Sequence, residues 1–323
     1  MGAIKPLIKG APTDLSLSTT MPVMVTQTVA MFLMMAVGFV VYRIGLVDEA
    51  GSRSLTNFAV YVSMPAVILR TLAGTFDAQR LQVAGISAVI TLVLLAVCMA
   101  CVRVAYGARG DGIAKAGIVI SNMGFIGVPL IQAVVGEDYV FYMSVSMAVQ
   151  TVVIWTYSAY VITRDVSVLD AKKIATNPAI IAIVLGFALF LLSIDLTGVP
   201  GALVDGMADM NTGLAMVVLG IYLAQADLGG IVRNLSIYKA CLLRLVVTPA
   251  LSILVLMAAP VEPAVKVTLL IAFVCPCGST AATLCQIFGK GDYRYAAGMV
   301  AMSTLLSVVA MPLMLMAGLV AFG

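Results

Sequence analysis

Apolar segments make up most of this chain, and each is close to the length that crosses a lipid bilayer. About 20 helical residues span roughly 30 Å of hydrocarbon, and ten such segments fit in a chain that is 62% hydrophobic and 10% charged. Because a segment in lipid must satisfy its own backbone hydrogen bonds, all ten are expected to be helices. The predicted helices cover residues 23–42, 55–73, 83–104, 116–135, 139–163, 178–194, 207–226, 237–257, 265–288 and 295–321.

The polar residues exclude most chemistry that an enzyme would need. The chain has no histidine and places no acidic residue in the middle of a predicted helix. This argues against zinc sites, Ser-His triads and imidazole proton relays. Its six cysteines fall within predicted helices, so they indicate neither a disulfide framework nor a metal knuckle. We therefore expect no enzyme activity, no cofactor, no metal site and no nucleic-acid partner.

Two of the predicted helices contain residues that interrupt a helix. The fourth includes Ser121, Asn122, Gly124 and Pro129, and the ninth includes residues 275–280, Cys-Pro-Cys-Gly-Ser-Thr. At bilayer depth a broken helix is tolerated only where protein or a water-filled cavity satisfies the freed backbone groups. Paired interruptions at corresponding positions of two halves indicate the binding site of a transporter. The alternative is that these small residues serve close helix packing.

The polar linker at residues 164–177 divides the chain into two runs of five predicted helices. We expect a flexible tail at residues 1–22 without a signal-peptide pattern, a first repeat at 23–163 and a second at 178–323. A repeat with an odd number of helices must be inserted upside down relative to its copy. Similar turns follow the fourth and ninth helices, at residues 136–139 and 289–293.

The distribution of lysine and arginine predicts the orientation in the membrane. Of 18 such residues, twelve lie on one side of the predicted helices, four on the other, and Arg70 and Arg244 lie within helices. Because cytoplasmic loops carry the excess of Lys and Arg, both termini are expected outside, in an inner-membrane protein.

With the broken helices located, the chain resembles the auxin efflux carrier family, which includes plant PIN-type exporters and bacterial malonate-type carriers. Four groups of residues carry the resemblance over nearly the whole length. They are Arg43, Gly45, Leu46, Asp48, Leu55, Asn57, Phe58, Tyr61, Pro65, Ala66, Leu69 and Leu72; residues 122–130; residues 150–157; and Arg244, Leu245, Pro249, Pro276, Gly278 and residues 303–307.

The resemblance implies an all-α fold of two inverted five-helix repeats, like that of sodium/proton antiporters and bile-acid symporters. Helices one, two, six and seven would form a scaffold. Helices three to five and eight to ten would form a transport domain in which broken helices four and nine cross. The resemblance also implies a homodimer through the scaffold. The family usually has a proline at both crossing positions, whereas here Ser121 stands at the first and Pro276 at the second.

Half-helices that meet at such a crossing direct their amino-terminal amides at one volume, which suits a carboxylate. The predicted crossing residues are Ser121, Asn122 and Pro276, and the predicted substrate contacts are Asn122, Met123, Gly124, Gln150, Pro276, Cys277, Gly278, Ser279 and Thr280. Three alternatives stay open. Asn122 could cap its own helix, Gln150 could join two helices, and the hydroxyls of Ser279 and Thr280 could bond the preceding turn.

Three charged residues within or beside the predicted helices are further candidates. Arg244 could attract an organic anion, although we favour the alternative that it snorkels to the cytoplasmic headgroups. Asp209, at the predicted head of helix seven, is a candidate for proton coupling, or it complements the helix dipole. Arg70 is expected to be an interfacial anchor.

Together these features predict a membrane carrier of small organic anions, such as mono- or dicarboxylates, that works by alternating access. Two alternatives remain at this point. A sodium-coupled symporter of the bile-acid type would need a sodium gradient for uptake, and a membrane sensor would bind a ligand without moving it.

Overall fold

A computed structural model describes residues 17–168, 171–226 and 231–322. Within these ranges the chain forms helices, connecting turns and one isolated β-bridge. The principal helices are α1 (Leu17–Arg43), α2 (Glu49–Leu72), α3 (Ala78–Tyr106), α4a (Gly112–Val119), α4b (Met123–Val134), α5 (Glu137–Thr163), α6 (Pro178–Leu191), α7 (Gly198–Gln225), α8 (Leu235–Met257), α9a (Pro263–Val274), α9b (Thr280–Phe288) and α10 (Tyr293–Phe322).

Seven helices of the described chain are long and apolar enough to cross a membrane: α1, α2, α3, α5, α7, α8 and α10. α4b, α6 and α9a are apolar but shorter. Each predicted helix falls on one of these elements or, for the fourth and ninth, on a pair of half-helices. Asp48, Asp77, Asp111 and Asn177 cap the amino termini of α2, α3, α4a and α6 by accepting hydrogen bonds from first-turn amides, as such residues commonly do.

Four helices, α1, α2, α3 and α7, begin at least five residues before the predicted boundary. α1 begins at Leu17 and includes Pro22, so the last part of the tail expected at residues 1–22 is helical. The rest of that tail, up to residue 16, lies outside the described residues. α7 begins at Gly198 rather than near residue 207, because Pro200 falls in the first turn, where a proline has no helical hydrogen bond to lose.

Helices α1, α2, α6 and α7 pack together as one group. α1 lies along α7, and α2 contacts both α6 and α7. Glycines permit the closest approaches, since a Cβ on Gly38 of α1 would lie 2.1 Å from the Val217 carbonyl oxygen of α7. A Cβ on Gly220 would lie 1.9 Å from the Met35 carbonyl oxygen. Small residues that bring backbones together are typical of helix pairs in membranes.

The remaining helices surround the two interrupted ones. α3 packs against α5 and α8, and α10 packs against α9a, α9b and α8. α5 contacts α9a, and α4a lies against α3, α5, α8 and α10. The two half-helix pairs are thereby enclosed on several sides, and their broken segments lie in the protein interior.

Four helices in the described part of the chain contain a widened π-helical turn, at Ala59–Ser63 in α2, Met123–Gly127 in α4b, Ile154–Ser158 in α5 and Leu243–Val247 in α8. Those in α2, α4b and α8 come directly before Met64-Pro65, Val128-Pro129 and Thr248-Pro249. Proline lacks an N–H and its ring clashes with the carbonyl four residues earlier, which accounts for the wider turns. Such turns are frequent at functional sites.

Candidate substrate site at the helix crossing

The two interrupted helices cross at their breaks. α4a ends at Val119 and α9a at Val274, and the extended residues that follow pair in an antiparallel bridge between Ser121 and Cys277. The Asn122 amide donates to the Pro276 carbonyl at 3.0 Å, and the Gly278 amide donates to the Ile120 carbonyl at 2.9 Å. The backbone at each break therefore forms hydrogen bonds with backbone groups that the other break leaves free.

Gln150 of α5 completes the backbone hydrogen bonding at Ser121. Its Oε1 accepts from the Ser121 amide at 3.0 Å, and its Nε2 donates to the Ser121 carbonyl at 2.9 Å. The Ser121 hydroxyl donates to the Ala272 carbonyl of α9a at 2.7 Å. A proline at position 121 would have no N–H for Gln150, so serine and glutamine form a matched pair here. Of the two alternatives for Gln150, the structure favours the joining of helices.

Arg244 lies in the π-helical turn of α8 and is fully buried. Its Nε donates to the Cys275 carbonyl at 2.8 Å, its Nη1 to the Ile118 carbonyl at 3.0 Å, and its Nη2 to the Ala272 carbonyl at 3.5 Å. The expectation that Arg244 snorkels to the headgroups was wrong. The carbonyls freed at the two breaks provide acceptors inside the protein, and the guanidinium binds them.

At the amino-terminal ends of α4b and α9b, some hydrogen-bond donors have no partner in the described part of the chain. Asn122 precedes α4b and is 6% exposed, and its side chain makes no capping bond to its own helix. Its Nδ2 has no hydrogen-bond partner within the described ranges. At α9b, the amides of Ser279 and Thr280 make no hydrogen bond to the described part of the chain. These donors could serve an external acceptor.

Most other predicted contact residues are packed inside the protein. Met123, Cys277 and Pro276 are buried, and the Cys277 amide donates to the Ser303 hydroxyl at 3.1 Å. Gly278 and Gly124 are positions of close approach. A Cβ on Gly278 would lie 2.5 Å from Ile120 Cγ2, and one on Gly124 would lie 2.7 Å from Met64 Cε in α2. These residues shape the crossing, whereas Ser279 and Thr280 are partly exposed.

A cavity of about 590 Å³ reaches the crossing at Ser279. Its walls come from the beginning of α2, the end of α7, the residues around the start of α8, the length of α9b and the beginning of α10. Hydroxyl and amide side chains are prominent, with charged groups toward the helix ends. The lining includes Glu49, Ser52, Arg53, Thr56, Asn57, Tyr222, Asn234, Ser279, Thr283, Gln286, Asp292, Arg294 and Thr304. Of these residues only Ser279 was predicted as a substrate contact, and most of the others lie on separate helices.

A cluster of ion pairs lies where α2 ends. Arg70 contacts Asp209 at 2.7 Å, Glu137 at 2.6 Å and Asp205 at 4.0 Å. Glu137 begins α5, whereas both aspartates lie on α7, so Arg70 connects the two groups of helices. Asp209 was predicted at the head of helix seven, but α7 begins at Gly198 and places this carboxylate well inside the helix. The dipole argument for Asp209 was therefore wrong. Its side chain is 73% exposed and paired with Arg70.

Glu137 was not predicted from the sequence as a partner of Arg70. The signal was the turn at residues 136–139, which was noted only for its similarity to residues 289–293. Gly136 adopts a positive φ of 118° there and Gly289 one of 58°, a conformation that favours glycine.

The described chain is all-helical, and several of its apolar helices are long enough to cross a bilayer. Two of its helical segments are broken in the protein interior. This is the architecture of a multi-pass membrane transporter. A family model described as membrane transport protein matches residues 23–167 and 158–315. The chain belongs to this family, of the auxin efflux carrier type, which confirms the resemblance seen in its motifs. The family is one of transporters rather than enzymes. No curated protein matches the chain.

Proposed function

We propose that this protein is an inner-membrane carrier of small organic anions, with mono- or dicarboxylates as substrates, that works by alternating access. The observation that carries the proposal is the crossing of α4 and α9, where a polar cavity reaches Ser279 at the beginning of α9b and the buried Asn122 Nδ2 beside the bridge has no partner in the described part of the chain. Backbone amides at helix amino termini suit carboxylates, and the amides themselves carry no formal charge.

We further propose that the ten helical segments form two inverted repeats of five. In such a repeat each helix corresponds to the one five places later, so a pairing of α1 with α7 requires a pairing of α6 with α2. Both pairings occur. The α1, α2, α6 and α7 group would be the scaffold, through which two copies would associate as a homodimer, and the other helices would be the transport domain.

In this proposal the conformation is open to the cytoplasm. The cavity lies at the ends of helices that carry Arg53 and Arg294, on the side where Lys and Arg predominate, which the positive-inside rule assigns to the cytoplasm. The termini would then lie outside. On the opposite side, Arg70 of the scaffold is paired with Glu137 of the transport domain at 2.6 Å, which supports a closed outer face.

A two-step experiment tests the function. Purified protein is first melted in the presence of a panel of mono- and dicarboxylates, and a true ligand should raise the melting midpoint in a concentration-dependent way. The same compound is then followed by flux into proteoliposomes with and without a sodium gradient. Flux in both conditions supports the proposal, and flux only with sodium indicates a coupled symporter. Stabilisation without flux would instead indicate a sensor, and no stabilising carboxylate would refute the substrate class.

A further inference from the structure

The charge of Arg244 is placed where two helix dipoles end. Ile118 is in the last turn of α4a, while Ala272 lies in the last turn of α9a and Cys275 directly follows that helix. Their carbonyls are the three acceptors of the guanidinium. Among the described residues, no carboxylate forms an ion pair with Arg244. The helix ends are thus the counter-charge of this buried cation.

The charges at the crossing can be added. Each helix carboxyl terminus carries roughly −0.5 of an elementary charge and each amino terminus roughly +0.5. The ends of α4a and α9a together offset the single charge of Arg244. The beginnings of α4b and α9b, which follow the two breaks, then remain as about one uncompensated positive charge in total. That remainder matches one carboxylate.

We propose that Arg244 is a positioning residue that acts as the resident cation of the crossing and leaves the positive potential of the amino-terminal half-helix ends free to bind a single carboxylate. Its guanidinium holds the ends of both α4a and α9a, as a bound metal ion would, so the crossing needs no sodium ion for its assembly. This inference rests on the proposed function, and it names the charge of the group that the site accepts.

A second observation points to an external acceptor at the same place. The Asn122 side chain is almost fully buried beside the bridge, yet its Nδ2 has no partner in the described part of the chain. Buried donors in native proteins are nearly always paired. An anion at the amino-terminal end of α4b would supply the acceptor, whereas a cation would not.

The geometry also explains how the charge is held in place. Arg244 lies in the wide turn before Pro249, and the Thr248 hydroxyl donates to the Arg244 carbonyl at 3.0 Å. This hydroxyl satisfies a backbone acceptor that the proline leaves without an N–H. Lysine carries the same charge on a different head group, without the planar fork that binds several carbonyls at once.

The test compares sodium chloride with choline chloride at equal concentration in melting experiments on the full-length wild type, R244Q and R244K. The wild type should melt at the same temperature in both salts, because Arg244 already occupies the carbonyl site. R244Q should melt on the order of 10 °C lower in choline, and sodium should restore part of that loss by binding the vacated carbonyls. The melting temperature of R244K should lie between those of the wild type and R244Q, and sodium should not change it.

The matched control is K115Q. Lys115 is also buried and donates to the backbone carbonyls of Gly107 and Ala108, away from the crossing. K115Q should lose stability without any response to sodium. Sodium-dependent stabilisation of the wild type or of R244K would overturn the proposal, as would an R244Q variant no more sensitive to sodium than K115Q. None of these measurements uses a carboxylate, so a failed substrate screen and a failed role for Arg244 are distinguishable.

Discussion

Replacement of Gln150 by leucine tests whether this side chain supports the crossing or binds the substrate. Gln150 is 6% exposed and occupies both the N–H and the C=O of Ser121, at 3.0 and 2.9 Å. Leucine is similar in size but cannot form hydrogen bonds, so Q150L leaves both backbone groups without a partner. A buried polar group left unsatisfied costs about 1–3 kcal/mol. Two such groups should therefore lower the free energy of unfolding by about 2–6 kcal/mol.

The assay is thermal melting of the detergent-solubilised protein with a thiol-reactive dye. Five of the six cysteines are buried, and all six are free, so dye labelling reports unfolding. At roughly 2 °C per kcal/mol for a chain of this size, the midpoint of Q150L should fall by about 4–12 °C. Q82L is the control, because Gln82 is exposed on α3 and its replacement should leave the midpoint nearly unchanged.

The reasoning would be refuted if Q150L melted within about 1 °C of the wild type. If the same variant also bound a stabilising carboxylate more weakly, Gln150 would be a substrate contact, which is the alternative that the sequence left open.

Three further predictions concern the same region and the ion pairs of Arg70. Asn122→Ala should weaken carboxylate binding in the thermal-shift titration with little loss of stability, because the Nδ2 atom has no hydrogen-bond partner among the described residues. Unchanged affinity would remove Asn122 from the site. Gly278→Ala should lower the melting midpoint by the equivalent of about 1–3 kcal/mol, because the added Cβ would lie 2.5 Å from a neighbouring side chain. Gly206→Ala is the control and should leave the midpoint unchanged, because a Cβ there would have nothing within 4 Å. Glu137→Gln, which removes one partner of Arg70, should cost only about 0.2–1 kcal/mol at low salt, and a loss that persists in high salt would contradict an electrostatic origin.

The Ser121 position shows how a departure from the family pattern is compensated. A proline there would end α4a without an N–H to satisfy. Serine brings a donor into the protein interior, and Gln150, 29 residues away in sequence, accepts from it. The departure was visible in the sequence, but its compensation was not, because an amide side chain in a membrane helix has many candidate partners.

The sequence by itself determined the helical segments and the position of both breaks. Hydropathy over some 20 residues and the local preferences of Gly, Pro and Asn are properties of neighbouring residues, and the helices end at Val119 and Val274 within the stretches that those residues indicated. What satisfies the freed backbone was decided only by the tertiary structure. The Arg244 guanidinium donates to the Ile118 carbonyl across 126 positions of sequence, and this contact depends on the packing of α8 against α4a, which local sequence preferences do not specify.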